Sequence, residues 1–367
     1  MPTVTTTYEE ISRLLKKEIP KPELVERLAL LGIESEESEE GLKLEVPHNR
    51  PDLLSVEGIV RALKGVLGIK TGLPQYPLRK PKIEVVVDPS TSTVRPHIAC
   101  GVIRDVKLDE ETVASLMQVQ EKLHATYCRK RKKASIGVYD LDTLQPPITY
   151  TTVDPEGIKF VPLEYTQALT PAEILRQHPK GVEYAHLLEG LSRYPVLIDS
   201  KGTILSLPPI VNSEDTKVSA NTKALFIDVT GLDRRVVESA LKVLMTSLAE
   251  RGFVLEGVRI KQRKKTRVTP QLKHVRKALA VKNTNQMLGL TLNARQIAQL
   301  AKKMRYGIAR VTDTRVDLLV PPYRVDILHE VDLIEDIAIA YGYDKLEPTI
   351  PPVCTCLLYT SDAADDG

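Results

Sequence analysis

Two segments of this 367-residue chain carry residue types that could do chemistry. The first is Leu207-Pro208-Pro209-Ile210-Val211-Asn212-Ser213-Glu214-Asp215-Thr216, followed by Leu225-Phe226-Ile227-Asp228-Val229-Thr230-Gly231. It reads as a strand, a proline-stiffened turn bearing hydroxyls and an amide, and a second strand ending in Asp-Val-Thr. Side chains alternate between the faces of a strand, so Asp228 and Thr230 point the same way. With Ser206 and Asn212 they could line a cleft that holds a polar ligand and a water. Turn chemistry is the plainer alternative, because Pro, Asn, Ser and Asp are expected in turns anyway. No Ser/His/Asp or Cys/His set for covalent catalysis is legible.

The second segment runs Pro321-Pro322-Tyr323-Arg324-Val325-Asp326-Ile327-Leu328-His329-Glu330-Val331-Asp332-Leu333-Ile334-Glu335-Asp336. On a helix, Asp332, Glu335 and Asp336 stand at i, i+3 and i+4 and share one face, with Leu333, Ile334 and Ile337 opposite. Asp326 could fold back onto them from the preceding turn. Clustered carboxylate oxygens suit Mg²⁺, which takes few protein ligands and keeps several waters. The alternative is an acidic helix start, favoured by the helix dipole and facing solvent.

The elements that must position these residues fall into three blocks. Residues 1–81 hold helices expected at Tyr8–Lys17, Lys21–Leu31 (ended by Gly32) and Ser55–Leu67, with a strand at Lys43–Val46. Residues 82–263 hold strands expected at Ile83–Val87, His97–Val106, Ala134–Val138, Pro195–Ile198, Thr203–Leu207 and Leu225–Val229. Helices are expected there at Asp109–Tyr127, burying Val113, Leu116, Met117 and Leu123, and at Arg234–Glu250. Residues 264–352 hold a helix capped by Asn293, with Gly307 placed for a left-handed cap, a strand at Val316–Val320 and a helix at Glu330–Tyr341. Strands and helices mix without a strict βαβ rhythm, so the fold class is multidomain α+β, with a central mixed α/β domain flanked by smaller α+β ones. Residues 353–367 have no helical or strand period and are expected to be unstructured or non-native.

Four segments resemble, in order, parts of the phenylalanyl-tRNA synthetase β subunit of the archaeal/eukaryotic type. Val46-Pro47-His48-Asn49-Arg50-Pro51-Asp52 is similar to the end of that family's B1 region. Arg129-Lys130-Arg131-Lys132-Lys133-Ala134-Ser135-Ile136-Gly137-Val138-Tyr139 and the 207–231 segment are similar to its B3/B4 editing domain. The 321–336 segment, followed by Ala340-Tyr341-Gly342-Tyr343, resembles its B5 domain. One departure is Leu232 after Gly231, where the pattern usually has Thr. The resemblance implies an enzyme subunit that supports Phe-tRNA(Phe) synthesis and hydrolyses mischarged Tyr-tRNA(Phe). Asp228, Thr230, Asn212 and Ser206 are then the editing-site candidates. It implies a Mg²⁺ position at Asp326, Asp332, Glu335 and Asp336, shared with an α subunit in an α2β2 heterotetramer. It also implies tRNA(Phe) as a partner, with ATP and phenylalanine bound by the α subunit and no activation site in this chain. The rival reading is a non-catalytic assembly and tRNA-docking scaffold.

Composition leaves these readings open. Hydrophobic residues make up 42% and charged residues 27%, which is ordinary for a globular chain. The net charge of +3 neither supports nor excludes nucleic acid. The basic run Arg129–Lys133 could touch RNA phosphates, although such a run is more often a solvated loop. The four cysteines are too few and too scattered for a disulfide framework or zinc site. No apolar run approaches the roughly 18 residues of a membrane span, and Met1–Tyr8 has no signal pattern, so the expected location is the cytoplasm.

Overall fold

The computed structural model describes residues 2–39, 41–263 and 265–347. The 353–367 tail, with Cys354 and Cys356, lies outside them. Among the described residues no helix is long and apolar enough to cross a membrane.

The chain opens with strand β1 (Thr3–Thr6), helices α1 (Tyr8–Leu15) and α2 (Lys21–Leu30), strands β2 (Glu34–Ser38) and β3 (Gly41–Glu45), and helix α3 (Val56–Val66). The strands form an antiparallel sheet in the order β1-β3-β2. Val4, Leu42 and Leu44 alternate inward onto Ile11, Leu28, Ile59 and Leu63. α1 stops at Leu15 because Lys16 turns left-handed, with φ +58°. Ser55 caps α3 by accepting from the Gly58 N–H at 3.1 Å. β2, Glu-Ser-Glu-Glu-Ser, carries no apolar alternation. It is an exposed edge strand held by backbone pairing to β3, which is why the side-chain pattern did not predict it.

The middle of the chain supplies β4 (Leu78–Val87), β5 (His97–Arg104), α4 (Glu110–Ala125), β6 (Ala134–Asp140), β7 (Ile148–Val153), α5 (Pro171–Gln177), α6 (Pro179–Tyr184), β8 (Tyr194–Ile198), β9 (Ile204–Leu207), β10 (Val211–Asn212), β11 (Leu225–Gly231), α7 (Arg234–Ala249), β12 (Val254–Gln262) and β13 (Lys265–Thr269). They form one sheet in the order β10-β9-β8-β7-β4-β12-β5-β11-β6, with β13 added on β12. Only the pairings of β4 with β12 and β7 are parallel, so the sheet is mixed, as expected of α+β. Leu225, Ile227 and Val229 of β11 share a core with Leu241 and Leu244 of α7. Phe226 of the same strand belongs to a separate core with Tyr139 and Tyr150. Asp109 caps α4 by accepting from the Thr112 N–H at 2.8 Å. Met117 departs from the expectation: it is 60% exposed, while Leu116 is buried.

The last described part holds β14 (Val275–Ala280), α8 (Val281–Leu288), α9 (Ala294–Lys303), β15 (Gly307–Val311), β16 (Arg315–Val320) and α10 (Glu330–Tyr341), with sheet order β14-β16-β15. Asn293 caps α9 as expected. The left-handed residue after α9 is Arg305, with φ +67°, and not Gly307. Gly307 opens β15, where a Cβ would come within 3.0 Å of Leu73 and 3.1 Å of Leu319.

Arg61 of α3 connects all three parts. Its guanidinium carbon lies 3.5 Å from the Tyr323 ring centroid. Nη1 donates to Thr246 Oγ1 of α7 at 3.3 Å, and Nη2 donates to the Asp52 carbonyl at 3.3 Å. The side chain is 1% exposed.

Candidate active site

A cleft of about 310 Å³ opens where β6, the β9–β10 turn, β11 and the flank of α4 meet. Asp228 stands on β11 between two antiparallel neighbours, opposite Cys100 of β5 and Gly137 of β6. The Tyr139 hydroxyl lies 2.5 Å from Asp228 Oδ1 and 2.7 Å from Ser206 Oγ. With one proton, Tyr139 donates to the carboxyl and can accept from Ser206 in turn. Gly137 makes this contact possible, since a Cβ there would collide with both the Tyr139 hydroxyl and the Asp228 carboxyl.

Burial pushes the Asp228 carboxyl up to about 7, against the opposing pull of the Tyr139 hydrogen bond and the Arg95 guanidinium. Burial, and then the Asp228 charge, hold the Tyr139 phenol well above its ordinary range. Oδ2 of Asp228 takes no hydrogen bond among the described residues, and the residue lines the cleft. A carboxyl that sits near its midpoint at neutral pH, with one oxygen free, can accept a hydrogen bond or a proton from whatever enters.

Ser206 and Asn212 also line the cleft. Asn212 spends its Nδ2 on the Val138 carbonyl at 3.2 Å, leaving its amide oxygen to accept. The turn between them contains a cis Pro208–Pro209 bond. Arg131 braces this turn by donating from Nη1 to the carbonyls of Pro209 (3.2 Å) and Ile210 (2.8 Å). Arg129, Lys130 and Arg131 all take left-handed backbone angles, and Arg131 turns inward while its neighbours stay exposed. This run is therefore not a uniformly solvated loop. His124 is a structural group: Nε2 accepts from the Ile136 N–H at 2.8 Å, and burial draws its pKa down to about 4.

Thr230 shares the Asp228 face but does not line the cleft. Arg95, just before β5, covers it. Nε of Arg95 donates to Thr230 Oγ1 at 3.0 Å, and Nη2 donates to the Thr230 carbonyl at 2.8 Å and to Ser135 Oγ at 3.1 Å. The two-residue period was right about direction, but it is silent on what a loop lays over the strand. Tyr139, Gly137 and Arg95 were not singled out from the sequence. Only the β6–β11 register, which puts 137 opposite 228 and 135 opposite 230, would have found the first two.

The four carboxylates of the 321–336 segment do not come together. Arg324, almost fully buried, takes Asp326 at 2.7 Å and Asp336 at 2.6 Å. Asp336 also accepts from the Tyr306 hydroxyl. Asp332 caps α10, accepting from the Leu328 and His329 N–H groups at 2.7 and 2.6 Å. Glu335 is exposed. The helical turn of about 100° per residue puts Asp336 and Glu335 on opposite flanks of Asp332, one facing the core and one facing solvent. A buried guanidinium needs counter-charge, and it takes the inward carboxylates first. Among the described residues no group of three or more His, Cys, Asp or Glu could hold a metal ion. Within this chain the four carboxylates therefore do not cluster by themselves, and the position expected of them was one shared with a second chain.

Two family models match the chain: a B3/4 domain over residues 102–259 and a tRNA synthetase B5 domain over residues 278–343. The fold superimposes on the crystal structure of an N-terminal fragment of the phenylalanyl-tRNA synthetase β-subunit from Pyrococcus horikoshii. The TM-score is 0.89 and the identity 37%, covering 93% of this chain and all of that one. The chain belongs to the phenylalanyl-tRNA synthetase β-subunit family. Curated relatives in that family include the phenylalanine–tRNA ligase β subunits of Methanothrix thermoacetophila, 40% identical over 359 residues, and Archaeoglobus fulgidus, 42% identical over 356 residues. Each match takes in 97% of this chain but only 66% and 64% of the relative's length.

Proposed function

We propose that the chain is the editing part of a phenylalanine–tRNA ligase β subunit and that the Asp228 cleft hydrolyses Tyr-tRNA(Phe). The observation that carries this reading is the buried Ser206–Tyr139–Asp228 hydrogen-bonded set inside an otherwise largely apolar cleft. An apolar phenylalanine pocket rejects tyrosine only about 10²-fold, so a second site must recognise the hydroxyl itself. The free oxygen of Asp228 is placed to accept that hydroxyl, while the ring lies against the apolar wall. Phenylalanine would bury the same oxygen without a partner.

A water held by the amide oxygen of Asn212 attacks the ester carbonyl. The ribose oxygen leaves with a proton that the water supplies, and no covalent enzyme intermediate forms. Thr230 is a positioning residue, because it acts through Arg95 and Ser135 beneath Asp228. The partners in this reading are tRNA(Phe) and an α subunit, in an α2β2 assembly working in the cytoplasm. That subunit binds ATP and phenylalanine. A metal at the α10 segment would have to draw ligands from a second chain.

The test is the deacylation rate constant on Tyr-tRNA(Phe) and on Phe-tRNA(Phe), for wild type and Asp228→Asn. Wild type should prefer the tyrosyl ester, and the variant should lose about 5- to 150-fold of that preference, the equivalent of one unpaired buried polar group. Wild-type rates equal to spontaneous hydrolysis, both in the chain and in the complete α/β assembly, would leave the scaffold reading in its place.

A further inference from the structure

A second, larger cavity of about 730 Å³ shares no lining residue with the Asp228 cleft. It lies between the end of α1, the segment after α3, the loop before α4, the end of α7 and the α9–β15 connection. Seven cationic side chains and two carboxylates line it, although the whole chain nets only +3. Several of these charges are already satisfied. Arg13 is paired with Asp109 at 3.1 Å, Arg251 with Glu10 and Glu57 at 2.8 and 2.5 Å, and Lys64 with Glu250 at 3.6 Å.

Lys16, Lys70, Lys107 and Arg305 remain. The three lysines are exposed, stand on three separate elements, and have no ion pair among the described residues. Arg305 is different. It is only 4% exposed, yet its one side-chain hydrogen bond among the described residues runs from Nη1 to the Lys70 carbonyl. Its Nε is buried without a partner. Its left-handed backbone, at φ +67°, is an uncommon conformation for a residue with a side chain. A buried guanidinium without counter-charge is costly unless an anion completes it. Arg324 and Arg251 are satisfied by two carboxylates each, and Arg95, which has no ion pair among the described residues, spends its guanidinium on Thr230 and Ser135 instead. Arg305 has neither kind of partner set.

We propose that this cavity binds phosphate groups of an RNA backbone and gives the chain a second tRNA contact apart from the cleft. The guanidinium fork of Arg305 suits one phosphate, and Lys16, Lys70 and Lys107 suit its neighbours as point charges. Charges spread over three elements match a strand with recurring negative charge better than they match one small anion. The proposal rests on the tRNA reading above.

The experiment measures anisotropy of labelled, uncharged tRNA(Phe) with the full chain across a salt series. The variants are Lys16→Gln/Lys70→Gln/Lys107→Gln and Arg305→Lys. The triple variant changes only exposed side chains and should keep the wild-type melting temperature. It should bind tRNA roughly tenfold or more weakly near 100 mM salt, and its slope of log affinity against log salt should fall by about 2 to 3. Its kcat for Tyr-tRNA(Phe) should hold while KM rises. Arg305→Lys, which keeps the charge but loses the fork, should fall between wild type and triple variant. Wild-type affinity and slope in the triple variant would overturn the proposal, as would no tRNA binding by the wild type. Equal binding of poly-glutamate would overturn the assignment to RNA, and so would a rise in melting temperature with inorganic phosphate but none with tRNA. Weakened binding alongside absent deacylation in every protein would sink the hydrolysis reading and leave this one standing.

Discussion

Two regions of this molecule bury carboxylates and treat the charge in opposite ways. In the 321–336 segment a buried arginine lies two residues from one aspartate and reaches a second from α10, so the charges are consumed internally. On β11 a single aspartate is just as buried, but its hydrogen-bond partner is the Tyr139 hydroxyl, itself bonded to Ser206, and among the described residues no cation forms an ion pair with it. The first arrangement stabilises the protein and leaves nothing for a ligand. The second leaves a carboxyl half-way to protonation, with an oxygen to spare. A carboxylate is therefore a candidate for chemistry when its counter-charge is missing, and carboxylate density by itself is a poor guide.

The largest effect should come from removing the clamp. Arg324→Met leaves Asp336 buried with only the Tyr306 hydroxyl and Asp326 with only the Arg50 guanidinium 4.0 Å away, which should cost about 3–5 kcal/mol in denaturant unfolding. A loss under about 1 kcal/mol would mean that these carboxylates are hydrated and the contrast is false.

The next effect reads the cleft through pH. The Asp228 carboxyl is raised from 3.8 to about 7 in the folded chain. The folded state therefore holds a proton that the unfolded state releases, and its contribution to stability is complete below about pH 4 and is lost as pH rises through 7. Relative to Asp228→Asn, wild type should lose up to about 4 kcal/mol between pH 4 and pH 8. His124, with its pKa held near 4, acts the other way and cancels in this difference because both proteins keep it. A flat difference would show that Asp228 is ionised throughout.

The smallest effect tests the cleft wall. Met117→Ala should change stability by no more than about 0.5 kcal/mol, because the side chain is exposed. Leu116→Ala, one residue away and buried, should cost about 2–5 kcal/mol. Similar losses at both positions would restore the buried stripe read from the sequence.

What the sequence disclosed follows the range of the forces involved. Helix starts at Ser55, Asp109 and Asn293 were legible because a cap is a local bargain between a side chain and an N–H three residues on. β11 was legible from its β-branched, apolar run. β1, β2 and β13 were not, because their stability comes from backbone pairing with partners that local patterning does not reveal. Gly307 was misread as a cap since glycine serves both conformation and close approach, and only the position of Leu319 separates the two. Asp228, Ser206 and Asn212, picked out by residue type, line one cleft. Their partner Tyr139 and the glycine beneath it needed the strand register. Thr230, Asp326 and Asp336 have surroundings that residue spacing did not show, for one shared reason: each meets an arginine whose reach is fixed by tertiary packing.

Arg61 sets a limit on how this architecture could be taken apart and reused. Its guanidinium fills a space walled by the Tyr323 ring, the Thr246 hydroxyl and the Asp52 carbonyl. A gene rearrangement that carried off the central sheet alone would take Thr246 and leave its cation behind. The transplant would expose the α7 flank around Thr246, whose hydroxyl still bonds its own helix, and the donor would keep Arg61 with Asp52 but without the wall that shields them from water. Inheritance of the central sheet by another protein should therefore bring α3 along with it, or arrive with a new cover over that flank of α7.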